Sequence, residues 1–358
     1  MRALLITILA AHTGAGIFYS SETTSEGITS EKSFEEKLNE GNKLLKNQPH
    51  EHDTLRLLEH LHNMETEIKG RLINSSELNA ESINEIECYV EAKNSHIQAI
   101  DDTIEEINRK SKVDMALFQG DMILTKEQAG EIIENVKNNE SDRKKRQAVR
   151  DFRYPKSIWS KGVNYAFWNA SNEAMRVFRK AAALWSEDTC IDFVENNTAV
   201  ERIDVIRSDG CFSYVGKIGR TQSFSLGEGC ESIGTASHEL GHALGFARTQ
   251  SRHDRDSFIT LLPENFLDGW MTEFVKEAEH SNYNYNLTYD YGSIIHYSAG
   301  NVSKNGQPTM VPRLPKYLKT LGSRIISFYD KLMMNLHYGC LGNKKLSNLH
   351  LATFSIVN

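Results

Sequence analysis

The chain has 358 residues, which leaves room for two or three structural units and for a sizeable core in at least one of them. Its net charge of −7 is modest, so the composition gives no indication of nucleic-acid binding. Beyond the N-terminus no stretch approaches the roughly 18 apolar residues of a membrane helix, so we predict no membrane span.

The N-terminus has the pattern of a secretory signal peptide. Arg2 is followed by a short apolar run and then by the small residues Gly14, Ala15 and Gly16. The run is too short to cross a bilayer, and the abrupt change to polar residues after it disfavours the alternative of a buried N-terminal strand. We therefore predict a signal peptide over residues 1–15 and a secreted, extracellular protein.

The next segment, residues 16–146, is rich in Glu, Lys, Asn and Ser and shows helical spacing. Its apolar residues recur at intervals of three and four in two stripes. The stripes are Leu57, Leu61, Met64 and Ile68, and Ile97, Ile100, Ile104 and Ile107. Each covers only about two heptads, so helices that pack locally are favoured over a partner-binding coiled coil.

This segment ends in a basic run, Arg143-Lys144-Lys145-Arg146. Such a run is usually a solvated charge cluster. In a secreted chain, between a polar helical segment and a domain rich in Trp, Tyr and Cys, it also suits a processing protease that recognises basic residues. We predict cleavage after Arg146, which makes residues 16–146 a mainly helical propeptide.

From Trp159 onward the pattern is that of a globular α+β domain. Val163, Tyr165 and Phe167 alternate as in a strand, and Ile203 and Val205 indicate another strand. Between them, helical spacing is shown by Met175, Phe178, Ala182 and Trp185. Strands and helices in this order favour an α+β fold with its site in a cleft.

The most informative motif is His238-Glu239-Leu240-Gly241-His242. An α-helix turns about 100° per residue, so two His four apart lie on one face and can hold one Zn²⁺ ion. Glu239 beside them is placed to take a proton from a water that the metal activates. The alternative is a pair of surface His on a helix. Gly245, just downstream, is the residue type that ends a helix in the left-handed conformation.

In a secreted chain the five cysteines are candidates for disulfides. Four of them, Cys190, Cys211, Cys230 and Cys340, lie in the half that carries the zinc motif, and Cys88 stands alone upstream. Two bridges are expected, and spacing leaves all three pairings open. Glycosylation sequons begin at Asn74, Asn139, Asn169, Asn196, Asn286 and Asn301.

Further segments accompany the zinc motif, at residues 189–193, 210–216, 225–230, 250–256, 291–297 and 335–340. Together they resemble the astacin family of secreted zinc metalloendopeptidases, within the metzincins, over residues 147–340. The chain looks like a nematode-type relative with an altered third zinc-ligand position. The resemblance implies a metzincin-type two-lobed peptidase domain with the zinc helix in its cleft, and leaves residues 341–358 as a short tail.

The resemblance also implies roles for individual residues. His238 and His242 would bind Zn²⁺, Glu239 would act as general base, and Tyr297 would donate to the tetrahedral oxyanion. Asp121, in the segment 118–121, would be the propeptide switch, a carboxylate that takes the place of the water on zinc. The disulfides would be Cys190–Cys340 and Cys211–Cys230.

Three positions depart from the family pattern. Arg248 stands where the metzincin motif has its third His, and a guanidinium has no lone pair with which to bind zinc. Thr249 stands where the family has a glutamate that pairs with the freed N-terminus. Ile295 replaces the methionine of the Met-turn, an exchange of similar volume. His253 is the conceivable substitute ligand, but it would require a rerouted loop.

Two functions follow as hypotheses. The first is a secreted zinc metalloendopeptidase that is made as a zymogen and hydrolyses polypeptide substrates. The second is a catalytically impaired or inactive relative that serves as a peptide- or protein-binding module, because Arg248 replaces the third ligand.

Overall fold

The computed structural model describes residues 32–45, 48–74, 103–138, 148–149, 153–277 and 282–340. Several predicted features lie outside these residues: the signal peptide, Ile97, Ile100, Cys88, Asn139, the basic run at 143–146 and the tail at 341–358. The described residues from Ser33 onward belong to one compact unit. Within the described part, no helix is both long and apolar enough to span a bilayer.

The described part of the region before the basic run is mainly helical, as its spacing predicts. Its helices are α1 (Phe34–Leu45), α2 (Glu51–Asn63), α3 (Glu65–Asn74), α4 (Ile104–Lys110) and α5 (Lys126–Asn138). Leu57, Leu61 and Ile68 are buried, but a turn at Met64 divides their stripe between α2 and α3. A capping box begins α4, in which the Thr103 hydroxyl accepts from the Glu106 N–H and the Glu106 carboxylate accepts from the Thr103 N–H.

The rest of the chain combines strands and helices. The strands of the described part are β1 (Met122–Ile123), β2 (Ala148–Val149), β3 (Val163–Trp168), β4 (Phe193–Glu195), β5 (Ile203–Ile206), β6 (Cys211–Tyr214), β7 (Gln222–Leu226), β8 (Ile259–Leu261), β9 (Asn282–Tyr283) and β10 (Met310–Pro312). The helices are α6 (Asn172–Glu187), α7 (Ile233–Ala243) and α8 (Phe328–Tyr338). Short 3₁₀ helices are Asp114–Ala116, Thr249–Ser251, Arg255–Ser257, Pro263–Asn265, Met271–Phe274 and Pro315–Tyr317. This confirms the α+β fold class.

Six strands form the main sheet in the order β1-β6-β7-β5-β3-β4. Neighbours are parallel except β6 and β7, which are antiparallel. The edge strand β1 comes from the helical N-terminal region and pairs Met122 with Ser213 of β6. The N-terminal region therefore completes the sheet edge beside the zinc helix.

Two hydrophobic clusters form the core of the described chain. One lies between the sheet, α6 and α7, and includes Trp185, Phe224, Leu240 and Ile295. The other joins the N-terminal helices to the residues after the zinc helix, with Phe118, Met122 and Trp270 among its members. Because the second cluster draws on both regions, the N-terminal region packs on the rest of the chain through apolar contacts as well as through the strand.

Contacts at both ends of the zinc helix α7, and with its neighbouring elements, hold it in position. Ser232 caps it by accepting from the Thr235 N–H at 3.0 Å, and Gly245 beyond its C-terminus has φ +113°. The Trp185 indole N–H donates to the carbonyl of Ser237 at 3.0 Å, which ties α6 to α7. A Cβ on Gly241 would lie 2.4 Å from Cδ1 of Ile295, so glycine between the two His lets Ile295 pack beneath them.

Candidate active site

The two motif histidines present matching nitrogens to one point. Nδ1 of His238 lies 2.7 Å from the carbonyl oxygen of Ile294, and Nδ1 of His242 lies 2.8 Å from that of Phe246. A carbonyl only accepts, so each Nδ1 carries the proton and each Nε2 keeps its lone pair. The two Nε2 atoms are 3.1 Å apart. Burial lowers the pKa of His238 to about 4, so its imidazole is neutral, as a metal ligand must be.

Asp121 supplies a third ligand atom at the same point. Its carboxylate, fully buried, places Oδ2 3.1 Å from Nε2 of His238 and Oδ1 3.6 Å from Nε2 of His242. The ligand atoms of the three residues lie within 4.8 Å of one another, the arrangement of a metal site. Two zinc–nitrogen bonds of about 2.0–2.1 Å at a tetrahedral angle separate their nitrogens by roughly 3.3 Å, so this donor set fits Zn²⁺. Burial raises the pKa of Asp121, but the charge of the neighbouring Arg248 opposes it and holds the pKa well below its usual range.

Arg248 points into the site. The sequence indicates that this residue would repel a metal ion unless it turned outward, but the guanidinium is buried and Nη2 donates to Oδ2 of Asp121. The same Nη2 donates to Oε1 of Glu105 at 2.8 Å. The guanidinium carbon lies 4.0 Å from the centroid of the Tyr297 ring, within cation–π distance. Arg248 is therefore a fixed positive charge beside the His pair and contributes no ligand atom.

Glu239 is buried between these groups without a hydrogen bond. Among the described residues, neither of its carboxylate oxygens has a partner. Burial raises its pKa well above the usual value, the charge of Asp121 raises it further, and the charge of Arg248 opposes both. An unpaired buried carboxyl is costly to keep, which indicates a group reserved for a water or a substrate atom.

Tyr297 faces the N-terminal region. Its hydroxyl donates to the carbonyl of Gln119 at 2.8 Å, and Gln119 in turn donates from Nε2 to the hydroxyl of Ser251 at 2.7 Å. Gln119 and Gly120 both have positive φ, so the chain turns sharply to bring Asp121 to the His pair. The segment 118–121 thus occupies the cleft. A cavity of about 70 Å³ lies next to it, lined in part by Glu105, His238, Arg248 and Tyr297.

The other sequence-predicted residues lie around this centre. Disulfides form between Cys190 and Cys340 and between Cys211 and Cys230, as the resemblance implies. His253 is not part of the converging group of ligand atoms in the described chain. The Thr249 hydroxyl donates to Ser293, whose own hydroxyl donates to Asp330, so the position of the family glutamate belongs to a buried hydrogen-bond chain.

The sequons differ in their surroundings. Asn169 and Asn286 are exposed, and Asn196 is half-buried. Asn301 is buried, and its Nδ2 donates to Oε2 of Glu105 at 2.7 Å. A glycan on this atom would have to displace that contact. The helix α3 ends at Asn74, whose side chain lies outside the described part.

Sequence reasoning missed Glu105 and the structural role of Asn301. The capping box at Thr103 marks the start of helix α4. Nothing in the local sequence indicates that Glu105, the second residue of this helix, contacts Arg248, which is 143 positions away. Asn301 is recognisable from the sequence only as a sequon. Both roles arise from contacts between distant segments.

Comparison with known proteins shows which family this chain resembles. Residues 151–339, more than half of the chain, match the family model of Astacin, a peptidase family. Zinc metalloproteinase nas-31 of Caenorhabditis elegans is 43% identical over 67% of this chain and 40% of its own length. Blastula protease 10 of Paracentrotus lividus is 37% identical over 62% of this chain and 38% of its own length.

Among solved structures, a hatching enzyme zinc-protease of Oryzias latipes, high choriolytic enzyme 1, has a TM-score of 0.47 and 30% identity. That alignment covers 52% of this chain and 92% of the enzyme. The chain spans about 40% of the length of the curated relatives that it matches. The match to the family model, together with the zinc helix and its cleft, shows that the chain belongs to the astacin family.

Proposed function

We propose that this protein is a secreted zinc metalloendopeptidase that is made as a zymogen. In this proposal residues 16–146 are the pro-segment and residues 147–340 the peptidase domain. The observation that carries the proposal is the orphaned carboxyl of Glu239 beside two imidazoles whose Nε2 lone pairs converge. His238 and His242 would hold a zinc ion there, which would supply Lewis-acid chemistry toward a water molecule and the scissile carbonyl.

The remaining side chains perform the proton and charge steps. Glu239 takes the proton of the attacking water and later gives it to the leaving amine. Tyr297 loses its contact with the Gln119 carbonyl when the pro-segment leaves. Its hydroxyl is then free to donate to the oxyanion that develops on the substrate.

The arrangement of the N-terminal region supports a zymogen. The segment 118–121 lies in the cleft, Asp121 faces the His pair, and β1 extends the sheet at its edge. A polypeptide substrate would need the same space. We infer that a processing protease cuts after Arg146, and that the two disulfides reflect folding in an oxidising, extracellular compartment.

One observation favours a second candidate function. Catalytic zinc sites normally use three protein ligands, and Arg248 at the third position points inward with a permanent charge. Once Asp121 has left, only His238 and His242 remain as ligands. The processed protein would then be a catalytically impaired or inactive module that binds peptides in its cleft.

Metal analysis and peptide hydrolysis of the processed chain decide between these two functions. We expect the parent chain, cleaved after Arg146 and freed of its pro-segment, to hold less than one zinc per molecule and to hydrolyse peptides slowly. An Arg248→His variant restores the third imidazole and should gain at least roughly 10-fold in zinc affinity. Glu239→Gln in that background should keep the metal and lose hydrolysis by about 100-fold or more. One tightly bound zinc and full activity in the parent would show that two His suffice.

A further inference from the structure

Both oxygens of Glu105 are occupied by groups of the peptidase domain. Oε1 accepts from Nη2 of Arg248 at 2.8 Å, and Oε2 accepts from Nδ2 of Asn301 at 2.7 Å. Glu105 lies in the first turn of α4, within the pro-segment, and is almost completely buried. Its ligand atoms are not among those that converge on the candidate metal point. A metal at the His pair would therefore not hold Glu105, whereas Arg248 does.

Asp121 is held by the same guanidinium. Its Oδ2 accepts from Nη2 of Arg248 and also lies 3.1 Å from Nε2 of His238. Arg248 thus contacts two carboxylates that both come from the pro-segment, while the ring of Tyr297 covers its face. In a buried environment such ion pairs are screened little by salt, and removing one partner leaves an uncompensated charge.

We propose that Arg248 forms a carboxylate-binding site of the peptidase domain that retains the pro-segment through Glu105 and Asp121 without a metal ion. The inference rests on the proposed zymogen organisation only for the division of the chain at Arg146. Its ligand class is an acidic peptide with two carboxylates, and its occupant here is residues 103–125 of this chain. The guanidinium takes over the anchoring role that a metal–carboxylate bond would have in a chain with three His.

Local contacts hold each residue of this carboxylate-binding site in position. Arg248 follows the helix closure at Gly245, and Asn301 lies in the loop beyond the Tyr297 segment. The Thr103 capping box orients the first turn of α4, which carries Glu105. The contacts of Gln119 with Tyr297 and Ser251 hold the turn before Asp121. Both carboxylates are thereby brought to one cation.

The test measures how fast the peptidase domain dissociates from the pro-segment after the chain has been cut between the two. The basic run at residues 143–146 is replaced by the recognition sequence of a site-specific protease, and the chain is immobilised through a tag at the N-terminus of its pro-segment. After cleavage, the peptidase domain that leaves the support is measured over time, once in a zinc-containing buffer and once in excess chelator. The readout is a dissociation rate and does not depend on hydrolysis.

We expect the parent to release its peptidase domain slowly even in chelator, because Arg248 still holds both carboxylates. Zinc should slow release further, by about the factor that Asp121 adds to zinc binding, since the coupling between the two ligands is reciprocal. Arg248→His should release it on the order of 100-fold faster in chelator, because one partner of a buried charged pair has been removed, and more slowly again in zinc, where three His hold the metal. Arg248→Gln should release it quickly in both buffers. Glu105→Gln, which leaves the sequence of the peptidase domain unchanged, should also accelerate release in chelator.

Glu134→Gln is the matched control, since it makes the same chemical change on an exposed position of the pro-segment and should release at the parental rate. Melting curves and disulfide content establish that each variant folds. Release of the parent in chelator as fast as that of Arg248→Gln would overturn the proposal, and so would parental rates for both Arg248→Gln and Glu105→Gln in chelator. A processed enzyme that lacks zinc or activity would contradict the proposed peptidase function and leave these rates unaffected.

Discussion

At the scale of single residues, Arg248 changes the charge of the site without changing the fold around it. The zinc helix, the Nδ1 contacts of both His and the Tyr297 segment are all present. The arginine adds a positive charge where the family motif has a neutral ligand, and that charge is neutralised by acids of the pro-segment. In our proposals the same residue weakens zinc binding and strengthens the contact with the pro-segment.

A second residue, Glu273, makes the stability of the intact chain depend on pH. It lies buried in the 3₁₀ helix Met271–Phe274, and burial raises its pKa to about 8, against the effects of Arg248 and of a hydrogen bond from the Gln119 backbone. A carboxyl whose pKa is higher in the folded state binds its proton more tightly there. The stabilisation that protonated Glu273 gives the folded chain is therefore greatest below the usual pKa of about 4.5. It is lost as the pH rises through about 8.

We therefore predict that Glu273→Gln flattens this pH dependence. Between pH 5 and pH 9 the parent should lose roughly 2–5 kcal/mol more of its free energy of unfolding than the variant does, because the amide has no proton to give up. Urea unfolding of the disulfide-intact proteins at both pH values measures this difference. An equal loss in parent and variant would mean that Glu273 does not carry the effect.

At the scale of elements, the closure of the zinc helix depends on a glycine that the sequence already marks. Gly245 has φ +113°, its N–H donates to the carbonyl of His242 at 2.8 Å, and a Cβ there would lie 3.1 Å from Nε2 of His337. The backbone of this turn also accepts from the N–H of Val149 in β2. A residue with a side chain would strain the turn and push against α8.

Gly245→Ala should therefore lower the free energy of unfolding by about 1–3 kcal/mol. Thermal or urea unfolding of the intact chain measures the change. Gly130→Ala is the matched control, because Gly130 lies in helix α5 with no heavy atom within 4 Å of the added Cβ, so it should be neutral or stabilise by up to about 1 kcal/mol. Equal effects of the two substitutions would argue against a special conformation at Gly245.

At the scale of the whole molecule, residues from distant parts of the chain form the candidate metal site together. His238 and His242 come from the zinc helix, and Asp121 comes from the turn before β1. Among the described residues, the intact chain therefore offers three converging ligand residues, of which two belong to the proposed peptidase domain. In the proposed zymogen, the pro-segment would both block the cleft and supply a donor to the metal.

We predict that the intact chain binds zinc more tightly than the processed one. Loss of the Asp121 carboxylate should weaken zinc binding by at least roughly 10- to 100-fold, judging from the cost of losing groups that merely support a ligand. Competition with a chromogenic chelator measures the dissociation constant before cleavage and after the pro-segment has been separated. Asp121→Asn in the intact chain is the comparison variant and should resemble the processed form. Zinc affinity that is unchanged or higher after processing would contradict the prediction.

Much of the architecture could be predicted from local patterns. The i, i+4 spacing of the His pair, the helical spacing of Leu57 and Leu61 and the alternation in β3 depend on residues close in the chain, and the structure confirms these elements. The chemistry of Arg248 is equally local, because no guanidinium can be a zinc ligand in any fold. Membership in the astacin family followed from motifs of the same short range.

Only the tertiary structure decided what the distant parts do to one another. Arg248 turns inward because Glu105 and Asp121 meet it from 143 and 127 positions away, and Tyr297 donates to a carbonyl 178 positions away. Cysteine spacing alone left three disulfide pairings open, since the distance between two sulfurs is a property of the folded chain. By itself, the sequence determined which groups can bind a metal or carry a charge. Their distances and burial, which set how strongly they interact, exist only once the chain has folded.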